Sequence, residues 1–111
     1  LNIKCFKVRN IIARLRLSSH QLNIETGRHN NIDRNDRKCI LCTSNDIEDE
    51  YHFVCVCSAY INIRKKYISK YYFQRPCMYK FVNLITTSNN RILFKLAMFC
   101  KHAFKLRKDL L

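Results

Sequence analysis

Four side chains in this sequence have the types and spacing of a metal-ligand set. Cys39-Ile40-Leu41-Cys42 is followed by His52 and Cys57, which written as spacing is C-x2-C-x9-H-x4-C. Three thiolates and one imidazole make up the closed tetrahedral shell of one structural Zn(II) ion. The CxxC sets two thiolates on one tight turn. The residues between let the chain return, and His52 and a last cysteine close the shell. Two cysteines follow His52. In a helix spanning Glu48 to Val56, Cys55 lies three residues on and shares the histidine's face. Cys57 lies five on and reaches the metal only where that helix ends or bends. Helical geometry therefore leaves both open. Cys5, Cys77 and Cys100 read as buried free thiols, a common fate of unpaired cysteine.

Other residues with chemical potential read more plainly. Half of the 8 acids fall at Asp46, Glu48, Asp49 and Glu50. Acids in a first helical turn complement its dipole, with Asn45 or Asp46 as the N-cap. His20 and His29 read as a core hydrogen-bonding group and a solvated one. His29-Asn30-Asn31 beside a zinc knuckle resembles an HNH nuclease, but such a site needs a second histidine. His52 belongs to the zinc shell and His102 to a distant amphipathic segment. A polymerase needs an aspartate pair for its catalytic metals, and the sequence contains no Asp-Asp. The chain is thus expected to have no enzymatic activity and no small-molecule substrate.

The 111 residues make a single domain. It divides into an N-terminal helical segment (1–27), a basic loop with the knuckle (28–57) and C-terminal helices (58–111). Such a short chain buries a small share of its surface, and a metal staple offsets that by about 10 kcal/mol. One Gly and one Pro favour helices over a many-turned β fold. Seven cysteines, an odd number with no secretory signal, point to a reducing intracellular compartment, nucleus or cytoplasm. No apolar run approaches the roughly 18 residues of a membrane span. Because it opens on Leu1 rather than Met, the chain is expected to be a piece of a longer one.

Lys and Arg number 21 against 8 acids, a net charge of +13. That excess points to a polyanionic partner, nucleic acid first. The phosphate-contact candidates are Arg28, Arg34, Arg37 and Lys38 on the loop before the knuckle, with Arg64, Lys65 and Lys66 on a later helix. The acids are expected to face away from that ligand, so Glu48→Lys with Asp49→Lys should leave binding unchanged or slightly stronger.

Periodicity supplies the positioning elements. Ile3, Phe6, Ile11, Ile12 and Leu15 recur at helical steps over 3–17. Gly27 is expected to turn the chain through a positive φ. Residues 28–38 read as a polar loop. Tyr60, Ile63, Tyr67, Ile68 and Tyr71 predict one long helix over 59–73, broken by Gln74-Arg75-Pro76. Residues 78–85 predict a short helix. Ile92, Leu93, Leu96, Ala97, Cys100, Ala103 and Phe104 predict an amphipathic helix over 91–106. The tyrosines and phenylalanines at these spacings read as core. The fold class is mainly α, a small helical domain around a zinc knuckle with a short CxxC turn or hairpin.

Taken in order, Leu15-Arg16-Leu17, His20, Leu22 to Arg28, Arg37 to Cys42, Ile47 to Phe53 and Cys57 resemble a known tail. It is the zinc-binding (zf-RVT-like) region at the C-terminal end of reverse transcriptases from non-LTR retrotransposons. Ala103 to Arg107 is similar to the end of such proteins. The likeness runs from about Leu15 onward and is most specific over Leu41 to Cys57. It implies Cys39, Cys42, His52 and Cys57 as ligands, because the family spacing is His-x4-Cys. Ser58 stands where the family often has Pro, and Cys55 where it has an aliphatic residue. The resemblance implies an accessory module that binds element RNA or target DNA beside a polymerase elsewhere on a parent polyprotein. The alternative is a structural or protein-interaction tail, in which zinc only supports packing on the rest of that polyprotein.

Overall fold

The three- and four-residue steps of Leu93, Leu96, Ala97, Cys100 and Ala103 wind into the longest helix, α6 (Asn90–Leu110), and all five are buried. The structure, a computed structural model, describes residues 6–17, 20 and 22–111. Asn89 caps α6, its side-chain oxygen accepting from the N–H groups of Arg91 and Ile92 at 3.0 and 3.2 Å. Helix α1 (Phe6–Arg16) packs along α6 and buries Ile12 and Leu15. Of the predicted N-terminal helix, Ile3, Lys4 and Cys5 lie outside the described residues. Helix α3 (Ile61–Tyr67) packs on another side of α6. Phe53 joins these elements, its ring 5.0 Å from Tyr60, 5.5 Å from Phe99 and 4.4 Å from Phe104 between centroids. Such aromatic contacts add to the burial of the rings themselves.

The predicted long helix over 59–73 is broken. A 3-10 turn, Ser58–Tyr60, leads into α3, and Ile68 then takes an extended conformation (φ −108°, ψ 133°) before α4 (Lys70–Phe73). Ile68 is buried there, and its branched side chain favours extended backbone. Helix α5 (Met78–Ile85) has the predicted bounds.

Gly27 does not turn the chain. It lies inside α2 (Asn23–His29), and no glycine has a positive φ. The turn falls to Asn31, at φ 58°. Ile32 N–H donates to Gly27 O at 2.8 Å and Asn31 N–H to Arg28 O at 3.3 Å, the Schellman pattern with Asn in its left-handed position. What position 27 requires is the absence of a side chain, because a Cβ there would meet Arg37 Cγ at 2.5 Å.

The architecture is mainly α. Among the described residues the β pairing is a single antiparallel bridge, Lys38 to Ile47. Cys39 N–H donates to Asp46 O and Glu48 N–H to Arg37 O, both at 2.9 Å. Asn45, at φ 62°, reverses the chain between them. No helix among the described residues is long and apolar enough to cross a membrane.

Candidate metal centre and basic surfaces

The hairpin holds Cys39 and Cys42 at one end of the site. A π-helical turn, His52–Val56, supplies the other. Its defining bond runs from Cys57 N–H to His52 O at 2.7 Å, an i to i+5 closure. The wide turn carries Cys57 back beneath His52, which an α-helical turn does not do at five residues. The N-cap is Asp49, whose carboxylate accepts from His52 N–H at 2.8 Å, rather than the expected Asn45 or Asp46.

One donor atom from each of Cys39, Cys42, His52 and Cys57 lies within 4.8 Å of the other three. Cys39 Sγ and Cys57 Sγ are 3.8 Å apart, and Cys42 Sγ is 3.4 Å from His52 Nε2. Tetrahedral zinc with ordinary bond lengths has edges of about 3.8 Å between sulfurs and about 3.6 Å between sulfur and nitrogen. The donor set and its spacing therefore fit one such ion. The other ring nitrogen, His52 Nδ1, is buried without a hydrogen-bond partner. Its nearest carboxylate, Asp46 Oδ2, is 3.8 Å away, on the side where a metal-bound histidine keeps an outer partner. Cys55 is buried and outside this cluster.

Burial governs the protonation of the group. It pushes the Cys57 thiol up to about 12 and raises Cys39, and it lowers His52 below the ordinary imidazole value. Burial opposes ionisation of Cys42 too, but the Ser44 hydroxyl, 3.1 Å away, and its neighbouring thiols lower that thiol overall. Burial thus favours neutral Cys39, His52 and Cys57 in a metal-free pocket, and Cys42 is the thiol that ionises most readily. A divalent cation supplies the charge that makes the thiolates favourable.

The acids beside the knuckle are built into the fold. Glu48 is buried and receives Arg107 through Nε and Nη2 at 2.9 and 2.7 Å. Asn23 N–H also donates to Glu48 Oε1 at 2.6 Å, and the Asn23 amide donates to Lys38 O at 2.6 Å. Reversal of Glu48 is therefore no neutral change, contrary to expectation. His20 Nδ1 accepts from Leu22 N–H at 3.3 Å, so its Nε2–H faces Glu50 at 2.9 Å. That is the core hydrogen bond expected of it, while His29 is exposed.

The basic candidates divide. Arg28 is exposed and pairs with Glu25 at 2.7 Å. Arg34, Lys65 and Lys66 are exposed and Lys38 is half-buried. Arg64 is not a surface residue. It is 2 % exposed and donates to Val54 O at 2.7 Å and Phe53 O at 3.1 Å, bonding carbonyls of the π turn. Arg37 also works inward, donating to Ile32 O and Ile24 O at 2.8 and 3.2 Å. Cys100 is buried as expected but Cys77 is exposed. Sequence reasoning missed Arg107 and Asn23. The available signal was Arg107 itself, four residues after Ala103 on the apolar stripe of α6.

Compared with known proteins, the chain matches no family model, no curated protein and no solved structure.

Proposed function

We propose that this chain is a non-catalytic, zinc-stapled nucleic-acid-binding module of the kind carried at the C-terminal end of non-LTR retrotransposon reverse transcriptases. The observation that carries the reading is the cluster of Cys39, Cys42, His52 and Cys57 at tetrahedral spacing. Soft thiolate donors with one imidazole select zinc among the common divalent ions. The ion would tie the hairpin, whose own two arms are joined by one β bridge, to the π turn. The net charge of +13 supports a polyanionic partner, with Arg28, Arg34, Lys38, Lys65 and Lys66 as its outward contacts. The partner would be element RNA or target DNA, held for a polymerase elsewhere on a parent polyprotein.

A second reading has its own support. Met78, Tyr79 and Val82 share one face of α5 and are 54, 71 and 44 % exposed. Exposed apolar groups that adjoin one another mark protein contacts, which suits a tail that packs on the rest of a polyprotein.

Native mass spectrometry tests the metal, and anisotropy with RNA and DNA oligomers over a salt series tests the ligand. One zinc per chain and a steep fall of affinity with salt are expected. A chain without zinc overturns the reading. Weak binding that ignores salt favours the packing tail.

A further inference from the structure

Between α3, α4 and the first turns of α6 lies an open cleft of about 520 Å³. Lys65, Lys66, Lys70, Arg91 and Lys95 line it, and no acid does. The absence is not local, since residues 51–108 contain 12 Lys and Arg and not one Asp or Glu. Nothing on this part of the chain can neutralise the cleft. Arg91 also stands in the first turn of α6, the positive end of its dipole, where a cation is disfavoured. Five cations gathered with no acid among them call for an anion supplied from outside.

Three tyrosines, Tyr67, Tyr71 and Tyr72, line the same cleft. Tyr71 is 48 % exposed. Lys66 Nζ sits 5.3 Å from the centre of the Tyr67 ring and Lys80 Nζ 4.9 Å from that of Tyr71. The break at Ile68 creates this geometry. Had 59–73 stayed one helix, the lysines of α3 and the tyrosines of α4 would have spread around a single rod.

We propose that the cleft binds single-stranded nucleic acid, its cations along the phosphates and Tyr71 stacked on a base. This rests on the nucleic-acid reading above and names the form of the ligand and its seat. A paired duplex keeps its base faces stacked inside the helix, whereas a single strand offers them to an aromatic ring and tolerates any sequence. Phosphates alone would account for the lysines but not for an exposed tyrosine, Tyr71, among them.

The test uses the zinc-loaded whole chain with a fluorescent oligo-uridylate, an oligo-thymidylate and a duplex of equal length. The single strands are expected to bind more tightly than the duplex. Tyr71→Ala should weaken them about tenfold while Tyr71→Phe keeps most of the affinity, because the ring and not the hydroxyl does the stacking. Lys70→Ala with Arg91→Ala should flatten the single-strand salt slope by about 1.4, roughly 0.7 per lost phosphate contact. These residues are exposed, and unchanged melting curves show the variants fold. A photoreactive uridine in the oligomer should cross-link to Tyr71. If the native chain binds RNA with a salt slope but these variants bind as well as it does, the cleft is not the seat and the module reading stands. If duplex wins over both single strands, the stacking inference is overturned. If no oligomer binds and poly-glutamate does, the cleft serves an acidic protein and both readings fall.

Discussion

Arg107, near the end of α6, grips Glu48 by two hydrogen bonds across 59 residues of sequence, and both groups are almost wholly buried. Glu48 lies between the hairpin and the π turn, so this pair sets the knuckle on the helical body. Asn23 completes the network from α2, its side-chain oxygen 3.3 Å from Arg107 Nη2.

Removing one partner strands the other charge out of water. Glu48→Gln or Arg107→Met should each destabilise the chain by about 3–5 kcal/mol, read from urea unfolding of the zinc-loaded protein. Joint replacement by apolar residues should cost clearly less than the two single losses added. Glu48→Lys, which charge alone would make harmless, should unfold the chain. A single loss below 1 kcal/mol would show that water reaches the pair.

How far the sequence discloses this design depends on the range of each interaction. Periodicity locates α5 and α6 because one face of each meets the core at regular steps. The CxxC, the histidine and the last cysteine announce themselves by type, and these side chains do lie together. The choice of Cys57 over Cys55 is not legible from helical spacing, because a π turn is a departure from the regular helix. Arg64 looks like one more surface cation beside Lys65 and Lys66. Only the carbonyls of Phe53 and Val54 explain its burial. The Glu48–Arg107 pair is non-local and no local pattern encodes it. The role of Gly27 is illegible for a related reason, since the fold and not helical periodicity lays Arg37 against it.

The cluster geometry separates two neighbouring cysteines. Cys57→Ser should lose tight zinc binding, since a structural site with three ligands is open and weak. Cys55→Ala should keep the metal and cost only the packing of a small buried side chain, about 1 kcal/mol. Cys55 is buried and its thiol is pushed up to about 11, so it is neutral at neutral pH. Zinc stoichiometry of the two variants decides the matter, and the reverse result would transfer the ligand role to Cys55.

Acidity should act on the metal-free and zinc-loaded forms in different ways. In the metal-free chain burial lowers the His52 pKa below its unfolded value. The unfolded state then binds more protons as pH falls through about 6.5, so stability is present above that pH and lost below it. Burial raises Cys100 and Cys57 to about 12, which favours the neutral thiols. Their contribution is present below the unfolded thiol value and is lost as pH rises toward 12. The metal-free chain should therefore be most stable between about pH 6.5 and 8.5. Zinc binding must expel the thiol protons of Cys39 and Cys57, and that of Cys42 to the extent it is held, so affinity should rise with pH across neutrality by about two to three log units per unit of pH. Competition with a chromophoric chelator at several pH values measures that slope. A slope near zero would mean the thiolates are already formed without metal.

Gly27 and Arg37 make the sharpest test of packing. A Cβ at position 27 would stand 2.5 Å from Arg37 Cγ and 2.9 Å from Cδ. Arg37 cannot simply swing aside, because its guanidinium is tied to Ile32 O and Ile24 O. Overpacking of this kind costs roughly 1–3 kcal/mol. Against it stands the helical preference of alanine over glycine, about 1 kcal/mol in a helix interior. The clash should win in the native background, so Gly27→Ala lowers stability. With Arg37→Ala already present the clash is gone and only the propensity remains, so the same substitution should then raise stability by up to about 1 kcal/mol. A double-mutant cycle by thermal or urea unfolding reads this change of sign directly. If Gly27→Ala has the same effect in both backgrounds, Arg37 does not lie against α2 and the glycine is needed for some other reason.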